Sequence, residues 1–157
     1  MLPEMRTVRY CAVMALCCML LSAGCSGRPE SRAVAVNPCG WKSVEEREVS
    51  FVNSDTVSLR ELSVFAVTGG RCSAGCDSLP LEITVHTPDS LLFIERVVLP
   101  FGTDAAEGTV RQRTFRSHGV LRREGTYRFA VSHTSGTPVR GLRAVGIEIT
   151  ETEHGKR

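Results

Sequence analysis

Residues 126–133 read Thr-Tyr-Arg-Phe-Ala-Val-Ser-His, with an apolar side chain at every second position from Tyr127 to Val131. Successive side chains of an extended chain point to opposite faces, so Tyr127, Phe129 and Val131 share one face and Arg128, Ala130 and Ser132 the other. This is the pattern of a half-buried strand. Residues 81–87 repeat it, with Leu81, Ile83 and Val85 opposed to Glu82, Thr84 and His86. Residues 47–53, 91–99 and 142–149 add runs rich in β-branched and aromatic residues. Residues 57–67 change phase between Leu59 and Leu62, which predicts a bulge or burial on both faces.

Turn chemistry separates these runs at Asn53-Ser54-Asp55, Gly69-Gly70, Thr87-Pro88-Asp89-Ser90, Gly102-Thr103-Asp104, Glu124-Gly125 and Ser135-Gly136-Thr137-Pro138. Six to eight strands result, with no long 3.6-period apolar stripe after residue 25 and at most a short helical turn near Asp104–Glu107. Such strands, without alternating helices, predict an all-β fold: an antiparallel β-sandwich, jelly-roll-like. The chain has 157 residues, and 42% hydrophobic with 23% charged residues is an ordinary globular balance, so one folded domain is expected. There is no internal repeat.

The first 24 residues have a different character. Arg6 and Arg9 precede the apolar run from Tyr10 to Leu21, and the small residues Ser22, Ala23 and Gly24 lead to Cys25. Positive charge held on the cytoplasmic side, a short apolar segment and a small-residue site describe a secretory leader. The run falls short of the roughly 20 apolar residues that a spanning helix needs. Leu20-Leu21-Ser22-Ala23-Gly24-Cys25 resembles a bacterial lipobox, with Ser22 where a large aliphatic residue is usual. That resemblance implies removal of residues 1–24 as a lipoprotein signal peptide and acylation of the Cys25 thiol. Residues 25–38 then read as a lipidated flexible tether, 39–152 as the β-sandwich domain and 153–157 as a disordered tail. The residues after Cys25 lack an Asp in second position and an acidic run, features that resemble inner-membrane retention and surface-export signals. The expected location is the periplasmic face of the outer membrane.

Loss of the leader removes Cys11, Cys17 and Cys18, and acylation consumes Cys25. Of seven cysteines, Cys39, Cys72 and Cys76 remain, an odd number that allows one bridge and one further thiol in an oxidising compartment. Cys72 and Cys76 share a glycine-rich segment and are candidates for a disulfide, with Cys39 competing for either. A structural zinc site would want four thiolate or imidazole ligands, and no histidine lies at suitable spacing.

A formal net charge of +2 carries no nucleic-acid footprint. There is no GxSxG elbow, no HExxH and no phosphate-cradling glycine loop, so no enzyme, metal or cofactor is expected. The histidines His86, His118, His133 and His154 are scattered, and His133, on the apolar face of its strand, reads as a hydrogen-bonded core residue. Glu45 and Glu46 read as solvated. The basic group Arg111, Arg113, Arg116, Arg122, Arg123 and Arg128 is either a solvated or edge-protecting face or a surface for anionic headgroups, peptidoglycan or an acidic partner. Trp41, the only tryptophan, reads as a core plug.

Taken together, the leader with Cys25, the Gly40-Trp41 start followed by residues 47–53, and the closing blocks Gly125–His133 and Val139–Ile149 resemble the gliding-motility lipoprotein family GldH. Thr134-Ser135-Gly136 stands where that family commonly has a Met-Arg pair, and residues 102–118 lack its Gly-Trp-Gly-like stretch. The resemblance implies a non-enzymatic accessory lipoprotein, anchored through Cys25 in the outer membrane, that supports the gliding machinery or an associated secretion apparatus by contacts with envelope proteins. The alternative is a periplasmic glycan-binding module, which would present several exposed aromatic rings.

Overall fold

The period-two segments are strands in the structure, a computed structural model that describes residues 29–69, 78–101 and 106–152. They are β1 (Glu30–Ala35), β2 (Arg47–Asn53), β3 (Arg60–Thr68), β4 (Ser78–His86), β5 (Leu92–Pro100), β6 (Val110–Gly119), β7 (Gly125–His133) and β8 (Leu142–Glu151). The described residues contain no helix. Two four-stranded antiparallel sheets form, ordered β1-β8-β3-β6 and β2-β7-β4-β5. Only β4 and β5 are neighbours both in sequence and in a sheet; each other connection crosses to the opposite sheet, the double Greek-key wrap of a jelly roll.

Alternation decides what lies between the sheets. Tyr127, Phe129 and Val131 of β7 face inward beside Leu81, Ile83 and Val85 of β4, and meet Leu62 and Val64 of β3 and Val145, Ile147 and Ile149 of β8. Phe51 and Phe129 pack edge to face with centroids 5.7 Å apart, a geometry that aligns ring edge with ring face. Residues 57–67 show both predicted features. The register slips between Leu62 and Ser63 opposite β6, and Phe65 is buried on the outer face. Phe65 lies flat there because its β8 partner is Gly146; a Cβ at that position would stand 2.5 Å from Phe65 Cζ and collide with the Arg32 carbonyl.

One boundary differs from the expectation. Residues 25–38 read as a flexible tether, but Glu30–Ala35 is strand β1, paired with β8 from Glu30↔Ile149 to Ala35↔Ala144, and Val36 enters the core. The folded domain therefore starts at Glu30 instead of residue 39. The cause is physical: β1 is an edge strand exposed on nearly every residue, held by backbone hydrogen bonds, so it leaves no burial pattern in the sequence.

The wrap gives the sandwich two distinct ends. At one, Glu30, the C-terminal end of β8 and loops 54–59, 87–91 and 120–124 come together. At the other, Trp41 is fully buried and exchanges backbone hydrogen bonds with Val139, 2.9 and 2.8 Å. Its indole N–H donates to the Glu45 carbonyl at 2.7 Å, and its ring meets His133 at 4.8 Å. His133 Nε2 lies 2.9 Å from the Trp41 carbonyl; a carbonyl only accepts, so Nε2 donates. Trp41 and His133 are thus the core residues that the sequence indicates.

Gly146→Ala is expected to destabilise the fold by about 1–3 kcal/mol, because the added methyl group must displace Phe65 or β1. Urea unfolding reads this as a lower midpoint with an unchanged slope, and a wild-type midpoint would contradict the packing.

Candidate functional site

The side of the sandwich opposite β1 and β2 is bounded by two edge strands, β5 of one sheet and β6 of the other. Each has one hydrogen-bonding edge without a strand partner among the described residues, the kind of edge to which another chain can add. Residues 91–94 are four consecutive apolar residues, and a pleated strand can bury only alternate ones. Val97 and Leu99 turn inward, whereas Leu92, Ile94 and Val98 remain 53%, 52% and 48% exposed on the outer face. Phe93, on the other face of β5, lines the cleft toward β6 together with Leu91. Arg96, which pairs with Glu82 at 2.9 Å, and Pro100 are the features of β5 that resist indiscriminate pairing.

Between β5 and β6 runs a cleft that, at the Glu30 end, has a volume of about 650 Å³ lined by Leu62, Val85, Phe93, Phe115, Leu121 and Tyr127 with Arg116 and Arg123 at its rim. Arg116 spans the gap from β6, pairing with Glu95 of β5 and lying 5.9 Å over the Phe93 ring. Farther along, Arg113 lines the gap with Val97 and Phe115, and Arg111 lines it with Phe101.

The loops beside the cleft are held from within. Asn53 is buried at the end of β2; its amide donates to the Leu121 and Arg123 carbonyls at 2.9 and 2.8 Å and its Oδ1 accepts from Arg60 at 2.6 Å. Arg123 pairs with Asp89 at 2.9 Å, joining loop 120–124 to loop 87–91. The Asp89 carboxyl is lowered first by the Thr87 hydroxyl, with Arg123 assisting. In loop 54–59, Asp55 is lowered from 3.8 to about 2, chiefly by the Ser58 hydroxyl, then by the Val57 and Ser58 N–H groups and the Arg60 charge.

The sequence-derived candidates are dispersed. Arg111, Arg113 and Arg116 lie on β6, Arg122 and Arg123 in the next loop, and Arg128 on the other sheet, where Glu48 stands 3.7 Å away. His86 is half-buried on β4 and His118 is exposed at the end of β6. Glu45 pairs with Arg47 at 3.2 Å. Among the described residues no three His, Cys, Asp or Glu side chains are grouped to hold a metal ion. Cys39 is exposed, its backbone N–H donating to Asn37 Oδ1 at 3.1 Å. Cys25, Cys72, Cys76 and His154, the leader and the tail lie outside the described residues. The sequence reading passed over the exposed strip of β5, although the unbroken apolar run 91–94 signals it. Asn53 read only as a turn residue.

No family model and no curated protein matches the chain. Among solved structures, a protein of Sulfurospirillum deleyianum superposes with a TM-score of 0.44 at 11% identity, over 82% of this chain and 100% of that one. The core of Drosophila NLP, described in terms of pentamer formation and histone binding, gives 0.32 at 13%, over 81% and 100%. The coat protein of Tobacco streak virus gives 0.31 at 13%, over 87% and 95%.

A depressed carboxyl binds its proton less readily in the folded chain than in the unfolded one, so Asp55 stabilises the fold above about pH 4 and that contribution is lost as pH falls through about 2. Asp55→Asn keeps an oxygen for the loop N–H groups but removes the titration. It is expected to flatten the dependence of stability on pH in that window, measured by urea unfolding at each pH; an unchanged slope would contradict the assignment.

Proposed function

We propose that this chain is a lipid-anchored, non-enzymatic protein of the outer membrane's periplasmic face that acts by binding other envelope proteins. The reading follows the resemblance to the gliding-motility lipoprotein family GldH, carried by the leader with Cys25 and the blocks Gly125–His133 and Val139–Ile149. Its role is then accessory to the gliding machinery or an associated secretion apparatus. Acyl chains on Cys25 hold the protein at the bilayer, each buried methylene contributing about 0.8 kcal/mol, so two or three chains give a lasting anchor. Confinement to a surface raises effective concentration, and a modest contact area then suffices for association.

The observation that supports protein contact is the strip Leu92, Ile94 and Val98 along β5, whose outer edge has no strand partner among the described residues. An incoming strand would satisfy the free backbone groups of β5 and cover that strip at once. Sugar binding has less support, because Trp41 and Tyr127, the rings best suited to stack on a glycan, are buried.

Two experiments test the proposal. Affinity capture from cross-linked envelopes is expected to recover a partner with the wild-type chain and to lose it with Leu92→Glu/Ile94→Glu, both exposed positions that leave the core intact. Equal recovery by wild type and variant would remove β5 as the contact. Deletion of the gene in a gliding host is expected to reduce colony spreading, and unchanged spreading would remove the gliding role.

A further inference from the structure

The chain enters the fold at Glu30, and Glu30 lies at the end of the sandwich that carries loops 54–59, 87–91 and 120–124. Glu30 lines the same recess as Asn53, Ser54, Arg60 and Leu121. Cys25 precedes Glu30 by only five residues, a covalent reach of roughly 17 Å at full extension. The strands are nine or ten residues long in β3 and β8, so the Trp41 end stands roughly 30 Å away along the sandwich. A lipid at Cys25 therefore holds one particular end of the domain against the membrane.

That end has side chains suited to the contact. Val57, at the tip of loop 54–59, is 80% exposed, and Leu91, closing loop 87–91, is 54% exposed. The loops around them are charge-balanced to within one unit, Arg122 and Arg123 against Asp55, Asp89 and Glu124, and the strand ends beside them add Glu30, paired with Arg32 at 3.0 Å, and Glu151, 3.8 Å from Arg60. Asp55 and Asp89 are also engaged by their own loops, Asp55 with the Val57 and Ser58 N–H groups and Asp89 with Thr87 and Arg123.

We infer that the end formed by loops 54–59, 87–91 and 120–124 rests on the bilayer surface, with Val57 and Leu91 in the boundary between headgroups and acyl chains. The inference rests on acylation of Cys25 and deepens that reading by fixing the orientation of the domain. The strands then stand away from the membrane, and the outer edge of β5 faces sideways toward neighbouring envelope proteins. Near-neutral loops make the contact apolar in origin, so it needs no anionic lipid and changes little with salt.

The test uses the full-length lipoprotein in phosphatidylcholine vesicles with plain or brominated acyl chains. Trp41 is buried at the opposite end and supplies a constant background. Tryptophan is introduced singly by Val57→Trp, Leu91→Trp and, as the distal control, Val44→Trp at an 84% exposed position. V57W and L91W are expected to lose emission on brominated vesicles at low and high salt alike, with V44W matching the unsubstituted protein. Quenching of V44W in place of the other two, or quenching of none while the protein floats with the vesicles, would overturn the orientation and leave the anchor standing. Protein that remains unbound after flotation would overturn the anchor and the orientation with it. Agreement between V57W and L91W, at two separate loops, guards against a local effect of either substitution.

Discussion

Six backbone-paired residues, Glu30–Ala35, fix where the chain leaves the folded domain. Their side chains contribute little to the core, and β1 is held because its N–H and C=O groups find partners on β8 instead of water. The consequence reaches beyond the strand. With β1 in place, the N-terminal segment departs from a defined end of the sandwich, beside three loops, instead of swinging on a fourteen-residue tether from residue 39. On the proposed acylation of Cys25, the anchor would orient the domain as well as retain it.

The jelly-roll wrap creates the other functional asymmetry. It places β1 and β2 at one side and β5 and β6 at the other, so two sheets of four strands have two differently finished sides. On the β5–β6 side the gap is bridged by Arg116 to Glu95 and by Arg123 to Asp89, solvent-exposed ion pairs that water and salt weaken. The buried amide of Asn53 is the firmer tie, because removal would leave the Leu121 and Arg123 carbonyls seeking new donors. Loop 120–124 is thus tied from within at the end of the sandwich where Glu30 enters, beside the exposed apolar residues of β5.

Much of this was legible in the chain. Strands with one buried and one wet face, β4 and β7 above all, announce themselves by alternation, and the bounds of β2 coincide with residues 47–53. The phase change near Leu62 signals both the bulge opposite β6 and the second buried face of β3. Edge strands are harder to see. β1 turns only Val34 toward the core, and β6 carries Arg111, Arg113 and Arg116 among mostly polar residues, so its arginines resembled a basic patch. Folding distributes those arginines among carboxylates, the cleft and solvent. Asn53 escaped notice because an asparagine at a strand end ordinarily marks a turn, and only the fold brings residues 121 and 123 to its amide.

Chain-end chemistry tests the central claim most directly. Mass spectrometry of the N-terminal peptide, from protein extracted out of the membranes of its native host, is predicted to show Cys25 as the first residue, bearing a diacylglyceryl thioether. An N-terminal peptide that still begins at Met1, or an unmodified Cys25 thiol on protein recovered from the soluble fraction, would contradict the account.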